Sequence, residues 1–584
     1  MPKTIHAAST ARGLSLHGYV GDYVVMLAWS LDRALTTLHA GLAGFSIERT
    51  PPHGSAQVLL NTLDFAAGIT ANTDIREAAR QAKPSTQSPF QKFRWIDYPS
   101  QLVPGAYRYV VTAMYFTDPH DPAKLVAGVS AEVTVTLGDT LAPNFDLAFT
   151  RGFISSQAYA REFDNAAFRP ADRSQYLFAT APFEPQYAWC GRRARVVLFD
   201  FLRAALKDRA AGRNVTLDAF VYDVDEPDFV EALKEFGTGL RLFLDDSEEK
   251  PKGKPAEPKA DRANAVKALG LHDGNLRRGH FRRFAHDKVL IRRDDGKPTA
   301  VLAGSANYSI RGLYVQSNSV VVVSEPGVAQ AYADAFESAF AAAQGQEEKA
   351  ALAAPLSREW VKFQQPNLPQ FGVSFAPHGD GEFALNAVAK ALNRAEKNVV
   401  FALMSQGGGA AQEALANVTK KPGVYIAGTV QTGSFAVKLM ASGQNGSVAS
   451  YMALERTVPE PFREELNVGM GGGANAGQVI HHKFVVVDFN GAEPTVFFGS
   501  SNLASGGEAS NGDNLMAVYD KEIATMFAIE GMQLNDHYAF RDKASKGTAA
   551  APFALQGPGA KTPWYAGYYE PGAKHYLEMR SLIG

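Results

Sequence analysis

His286-Asp287-Lys288-Val289-Leu290-Ile291 and, further along, His481-His482-Lys483-Phe484-Val485-Val486-Val487 decide the reading of this chain. Each is followed by a second short phrase, Gly304-Ser305-Ala306-Asn307 and Gly499-Ser500-Ser501-Asn502. The Lys-to-Gly interval is 16 in both copies, and the His-to-Asn interval is 21 in both. Chance does not supply that agreement.

Each copy opens an apolar run that is short, β-branched and bounded by polar residues, which predicts a buried strand. Residues i and i+2 of a strand share a face, so His286 points with Lys288 and His481 with Lys483. Asp287 and His482 fall on the opposite face, where His482 reads as a surface or structural histidine. A second apolar run, Thr299-Ala300-Val301-Leu302-Ala303 or Thr495-Val496-Phe497-Phe498, leads into each Gly-Ser-x-Asn. Small residues there let the backbone approach a ligand, while the hydroxyl and amide supply hydrogen bonds.

The doubled pattern HxKxxxxD and GSxN resembles the signature of the phospholipase D superfamily, and the chain is similar overall to bacterial phospholipase D-like proteins of unassigned substrate. The second copy carries the whole pattern, with Asp488 at the aspartate position. In the first copy Arg293 stands there and Asp294 comes one residue late. The resemblance implies that this aspartate supports the histidine and lysine. It extends to Gly312-Leu313-Tyr314-Val315-Gln316-Ser317-Asn318 and Asn511-Gly512-Asp513-Asn514, and implies Asn318 and Asn514 as further polar site residues.

Cleaving a phosphodiester needs a nucleophile, a proton donor for the leaving oxygen, and groups that hold the non-bridging oxygens. The two copies together supply that set. By the resemblance, His286 is the nucleophile that forms a phosphohistidine. His481 is the general acid that then activates water or an alcohol. Lys288, Lys483, Asn307 and Asn502 hold the phosphate, Ser305 and Ser500 support the pocket, and neither a metal nor another cofactor is called for. Other chemistry finds little footing, because the chain has no HExxH, no clustered Cys/His ligand set and no serine-hydrolase elbow.

A chain of 584 residues exceeds one core and suggests about three domains. Net charge is −2 and the isoelectric point about 6.7, which gives no global pull toward nucleic acid or an anionic membrane. Cys190 is the only cysteine, so no intrachain disulfide forms, and it reads as buried and inert. The first residues lack the apolar stretch of a signal peptide, and no window reaches the ~18 apolar residues of a membrane-spanning helix. The expected setting is cytoplasmic, with signal-free secretion as the alternative.

Residues 1–145 read as an all-β sandwich, with runs such as Tyr23 to Trp29, Phe45 to Arg49 and Tyr107 to Val111 between turn residues. Pro104-Gly105-Ala106-Tyr107-Arg108-Tyr109 resembles the turn into a late strand of fibronectin type III domains. Helices and strands then alternate through two α/β units, 150–345 and 355–545, which predicts parallel-rich sheets related by a pseudo-twofold repeat. Ser247 to Asp261 reads as a solvated loop, and Gly469 to Gly473 as a mobile lip beside the site rather than a nucleotide cradle. Residues 546–584 form an aromatic-rich tail.

Superfamily members act on phospholipid head groups or on nucleic acids. Balanced charge and an apolar entrance formed by Trp564, Tyr565, Tyr568, Tyr569 and Tyr576 favour a phospholipid and transient contact with a membrane surface. The alternative is that this tail simply packs over the catalytic body. Arg277, Arg278, His280, Arg282 and Arg283 favour a metal-independent nuclease, with Arg282 and Arg283 meeting phosphates. A third reading makes the chain a binding module whose β domain recruits a target.

Overall fold

The computed structural model describes residues 5–583 except 67, 74–77, 79, 139–141, 153–156, 173–176, 248–259, 273, 405–406, 432–444 and 452–478. The expected Gly469–Gly473 lip and most of the Ser247–Asp261 loop lie outside the described residues.

The N-terminal region is β-rich. One sheet runs in the order His6–Ala11, Leu14–Val20, Val25–Leu31, Arg94–Asp97, and the other Leu125–Leu137, Gly105–Phe116, Leu42–Thr50, Gln57–Val58, every pairing antiparallel. Strand alternation turns Tyr107, Tyr109, Val111 and Ala113 inward, where they meet Trp29 and Phe45 in one apolar core.

Two mixed sheets follow. The first has the order Phe145–Phe149, Ser319–Val323, Lys297–Gly304, Lys288–Asp294, Val215–Val221, Leu240–Asp245, Leu276–Gly279. The second has the order Val361–Phe363, Phe371–Ala376, Asp513–Val518, Thr495–Gly499, Lys483–Val487, Asn398–Leu403, Tyr425–Val430, Gly446–Ser450. Apart from its extra first strand, the second sheet follows the first position for position. In both, the HxK strand is central.

The expectation of parallel-rich sheets is corrected by the pairing. Only the last three strands of each sheet run parallel, and every other pairing is antiparallel. The reason is a hairpin between the two signature strands. Asp294 pairs with Lys297 across the two-residue loop Asp295-Gly296, whose positive φ values of 50° and 78° suit the twist of a tight hairpin. The strand Phe145–Phe149 belongs to the first α/β sheet and crosses the boundary drawn at 145 to 150.

The C-terminal tail packs on the β-rich region. Trp564 Nε1 donates to Leu42 O at 3.0 Å, Tyr565 Oη to His39 O at 2.8 Å and Tyr569 Oη to Leu31 O at 3.2 Å, while Trp564 and Tyr568 meet Phe93. These four aromatics therefore form no entrance to a site. Their polar tips find strand-end carbonyls and their rings fill the sandwich core. Tyr576 and the helix Lys574–Ile583 of the same tail pack against the α/β core, where Asn490 Nδ2 donates to Ser581 O at 2.6 Å. Buried Arg94 fastens the sandwich to the second unit, with two bonds to Asp536 at 2.7 and 2.9 Å and one to Glu578 at 2.7 Å. Cys190 is buried. Among the described residues, no helix is long and apolar enough to cross a membrane.

Candidate active site

The two units meet along the residues that precede each motif histidine. Ala285 bridges in parallel to Gly512, and Ser317 to Ile480. Gly512 N–H donates to Phe284 O at 2.8 Å, and Ser317 N–H to Val479 O at 2.9 Å. His286 N–H donates to Gly512 O at 2.8 Å. Each HxK strand is thus stitched to the other unit just where its histidine projects.

That stitching gives each histidine a partner from the opposite unit. His286 Nδ1 lies 2.7 Å from Asp513 Oδ1, and His481 Nδ1 lies 2.8 Å from Asn318 Oδ1. Both acceptors place a ring proton on Nδ1 and leave Nε2 outside these bonds. Asn318 is itself fixed, because its oxygen also accepts from Ser305 Oγ at 2.8 Å and its amide donates to Gly312 O at 2.8 Å. Asn511 Nδ2 donates to Asp513 Oδ2 at 3.1 Å.

Lys288 and Lys483 share the histidine face, as the strand period requires. Each ammonium bonds the carbonyl of its own histidine, Lys288 to His286 and Lys483 to His481 at 2.7 Å. Lys288 also sits 4.7 Å from the Tyr222 ring centroid, and Tyr222 packs edge-on to His286 at 4.9 Å. Both lysines are 1% exposed. Burial lowers the Lys288 pKa to about 8 against the opposing pull of Asp513 and Asp287, and lowers Lys483 well below its ordinary range with help from Lys288. Burial, then Lys288, lowers His286 to about 4 although Asp513 resists. Burial, then Lys483, Lys288, His286 and Arg311, lowers His481 well below the usual range. Burial is the largest cause of all four shifts, and each favours the uncharged form of its group.

The Gly-Ser-x-Asn phrases close that site. A Cβ on Gly304 would stand 2.3 Å from Ser319 O, and one on Gly499 2.3 Å from Asn514 O, so only glycine lets these strands meet. Asn307 and Asn502 both carry a buried side-chain oxygen with no partner among the described residues. These oxygens are acceptors and can meet only a donor, so the adjoining Nδ2 amides are the groups able to meet an anion. Ser500 Oγ accepts from Asn514 N at 2.9 Å, the counterpart of Ser305 accepting from Ser319 N at 3.0 Å.

Three expected supports stand elsewhere. Asp488 lies at the far end of its strand and accepts from the backbone N–H groups of Glu396, Lys397 and Asn398 at 2.9, 2.7 and 2.9 Å. Five residues beyond Lys483 is about 16 Å along a strand, too far to touch the lysine. Asp294 likewise binds Arg292, Arg213 and Thr299, and Arg293 at the aspartate position pairs with Asp218 at 2.6 Å. Asn514 faces the rear, where its amide donates to Asp287 Oδ1 at 2.7 Å. His482 is buried, not a surface residue, and lies 3.1 Å from Glu530. Arg282 and Arg283 are exposed, with Arg283 N–H donating to Ser510 O at 3.0 Å. Arg277 is held by Glu347 and the Ala342 carbonyl.

Two site residues escaped the sequence reading. Asp513 stands fourteen residues after Gly499, as Asn318 does after Gly304, and that shared spacing could have singled it out. Arg311 follows Asn307 in a π-helical turn, Arg311–Val315, a distortion common at functional sites, and its charge acts on His481.

Residues 389–530 match a family model described as cardiolipin synthase, PLD-like domain. That segment, which carries the second signature copy, is a PLD-like domain. The structure brings the residues of both signature copies into one constellation. No curated protein matches the sequence. Among solved structures it is similar to the phosphatidylserine synthase of Haemophilus influenzae Rd KW20, 12% identical over 56% of this chain and 83% of that one, TM-score 0.35. It is similar to Nuc, a phospholipase D family member from Salmonella typhimurium, 18% identical over 29% of this chain and 96% of that one, TM-score 0.21. It is also similar to the polyphosphate kinase of Porphyromonas gingivalis, 11% identical over 55% of this chain, TM-score 0.35, and spans only 46% of that kinase.

Proposed function

We propose that the protein hydrolyses or transfers a phospholipid head group through a phosphohistidine at His286. The observation that carries the assignment is the unlike pair of histidine partners, Asp513 for His286 and Asn318 for His481. A phosphorylated imidazole that keeps its Nδ1 proton is cationic, and a carboxylate on that proton stabilises it. An amide holds the His481 ring in place without fixing a positive charge there, which suits a group that gives up and regains a proton.

In this reading His481 enters the step as imidazolium, its second proton taken up on Nε2 when the phosphate anion binds; Nε2 of His286 attacks phosphorus, and the leaving oxygen takes that Nε2 proton, which leaves His481 neutral. His481 then removes a proton from water or an alcohol, which attacks the phosphohistidine and releases His286. Lys288, Lys483, Asn307 and Asn502 surround the non-bridging oxygens. The two α/β units read as a pseudo-twofold repeat, supported by the matching strand orders and the paired bridges between them. The N-terminal sandwich reads as fibronectin III-like, supported by its two antiparallel sheets.

The lipid reading is supported by the near-neutral charge and by the family model's description. The aromatic tail no longer supports it. The second reading, a metal-independent nuclease, is favoured by exposed Arg282 and Arg283 just ahead of His286. Purified protein incubated in excess chelator with phospholipid vesicles, and separately with single- and double-stranded DNA, distinguishes them. Head-group release, or exchange with an added primary alcohol, is expected. Cleavage of DNA with no action on lipid would overturn the lipid assignment and turn attention to Arg282 and Arg283.

A further inference from the structure

A second concentration of buried positive charge lies outside the catalytic constellation, where the sandwich meets the first α/β sheet. Arg151 follows the strand Phe145–Phe149, and Arg192 sits in a kink of the helix Glu184–Ala210. They are 6% and 4% exposed. Both guanidiniums lie over the Tyr98 ring, at 4.2 Å for Arg151 and 3.8 Å for Arg192, and Arg151 also lies 3.9 Å from the Trp189 ring.

Neither has a carboxylate in ion-pairing range among the described residues. Arg192 makes one hydrogen bond, from Nη2 to Tyr23 O at 2.7 Å, and its Nε and Nη1 are buried without partners. Arg151 Nε is in the same condition, although the Tyr98 hydroxyl supports the group. The next residue, Arg193, shows what satisfaction looks like here: it is equally buried but bonds Asp22 at 2.7 Å, Asp146 and the Leu147 carbonyl. The acids close by are already engaged. Asp22 serves Arg193 and the Phe149 N–H, while Glu530 bonds His482 and Gln533, and burial raises its pKa well above the usual carboxylate range against the opposing pull of Arg192.

Contact with an aromatic face recovers only part of what a guanidinium loses on leaving water, so two such groups side by side call for a counter-charge. Their mutual influence is real, because burial and then the charge of Arg192 depress the Arg151 pKa against the favourable pull of Tyr98. The backbone bears a further cost. Arg192 adopts φ 44° and ψ −136°, a conformation that L residues rarely hold, and strain of this kind persists where function requires the side chain. Tyr98 and Trp189 are only half-buried, which leaves the rim open to solvent.

We propose that Arg151 and Arg192 form a second anion site, for a small oxyanion of the phosphate class. Three buried guanidinium nitrogens without partners, Nε and Nη1 of Arg192 and Nε of Arg151, are donors suited to phosphate oxygens, and the depth of the groups favours a free anion over a head group still anchored in a bilayer.

The test is calorimetric titration of inorganic phosphate into the full chain carrying Lys288→Met and Lys483→Met, which removes the catalytic cations from the measurement. A single equivalent is expected to bind, and adding Arg151→Met and Arg192→Met is expected to weaken it by at least about tenfold. Phosphate, against chloride at matched ionic strength, is expected to raise the Tm of the parent and not of the doubly substituted chain. Should the methionine pair not fold, Arg151→Lys with Arg192→Lys keeps the charge but loses the forks, and the same weakening is expected. Equal phosphate affinity with and without the arginines would overturn the proposal, as would no binding in the lysine-substituted background. Arginine-dependent binding to phosphatidic acid vesicles without binding of free phosphate would overturn the free-anion assignment.

Discussion

The two HxK strands are alike in front and unlike behind. In front, each presents a histidine and a buried lysine whose ammonium returns to its own histidine carbonyl. Behind, Asp287 is clasped by Asn514 and Ser500 of the other unit, whereas His482 meets Glu530 on the long helix Lys521–Lys546. The histidine partners differ in the same way, a carboxylate on one side and an amide on the other. In the proposed mechanism the shared front binds and attacks the phosphate, and the unlike partners divide the labour between two otherwise equivalent rings.

The largest effect that tests this division is loss of either ring. His286→Ala and His481→Ala are each expected to lower turnover of a natural substrate by at least about 10³-fold, with folding retained by circular dichroism, because the two act as a unit. Near-wild-type turnover in either variant would mean that the units do not share one site.

Exchanging the partners sharpens the comparison. Asp513→Asn leaves both histidines on amides and is expected to lower kcat on the order of 10²-fold. Asn318→Asp alters the acid/base side alone, and its cost is expected to stay within about tenfold. Equal losses would remove the basis for assigning His286 as the nucleophile.

The lysines bear on binding rather than on bond making. Because the Lys288 pKa is lowered to about 8, its charge is present below that pH and is lost as pH rises through it. KM is expected to rise above about pH 8 more steeply than kcat falls. A Lys288→Arg variant should move that rise to higher pH, and an unmoved profile would assign the titration to another group.

The smallest effect on chemistry belongs to Asp488. Its carboxylate satisfies three backbone N–H groups at the start of the strand Asn398–Leu403, so Asp488→Ala is expected to cost about 1–3 kcal/mol of stability. Turnover per folded molecule should remain within about twofold. A drop in kcat without a drop in Tm would return this aspartate to the role that the family resemblance assigned it.

Much of this was legible in the chain. Short β-branched runs marked the signature strands, and the period of two placed His286 with Lys288 and His481 with Lys483. The strand direction was written less openly, since apolar runs do not distinguish parallel from antiparallel neighbours. Asp295-Gly296 was the local clue to the hairpin. Asp513 was hidden by its neighbour: Asn514 resembles Asn318 in type, but the one-residue difference turns it to the opposite face. The aromatic tail could not be placed from composition, because rings suited to an apolar entrance suit a sandwich core equally well.

The most direct test of the divided roles uses His481→Ala with a phosphodiester bearing a nitrophenyl leaving group, which departs without protonation. Rapid quenching at alkaline pH followed by peptide mass mapping is expected to find the phosphoryl group on His286, accumulating because no base remains to activate water. Absence of any covalent adduct, or an adduct on His481 in the matching His286→Ala experiment, would contradict the assignment of His286 as the nucleophile.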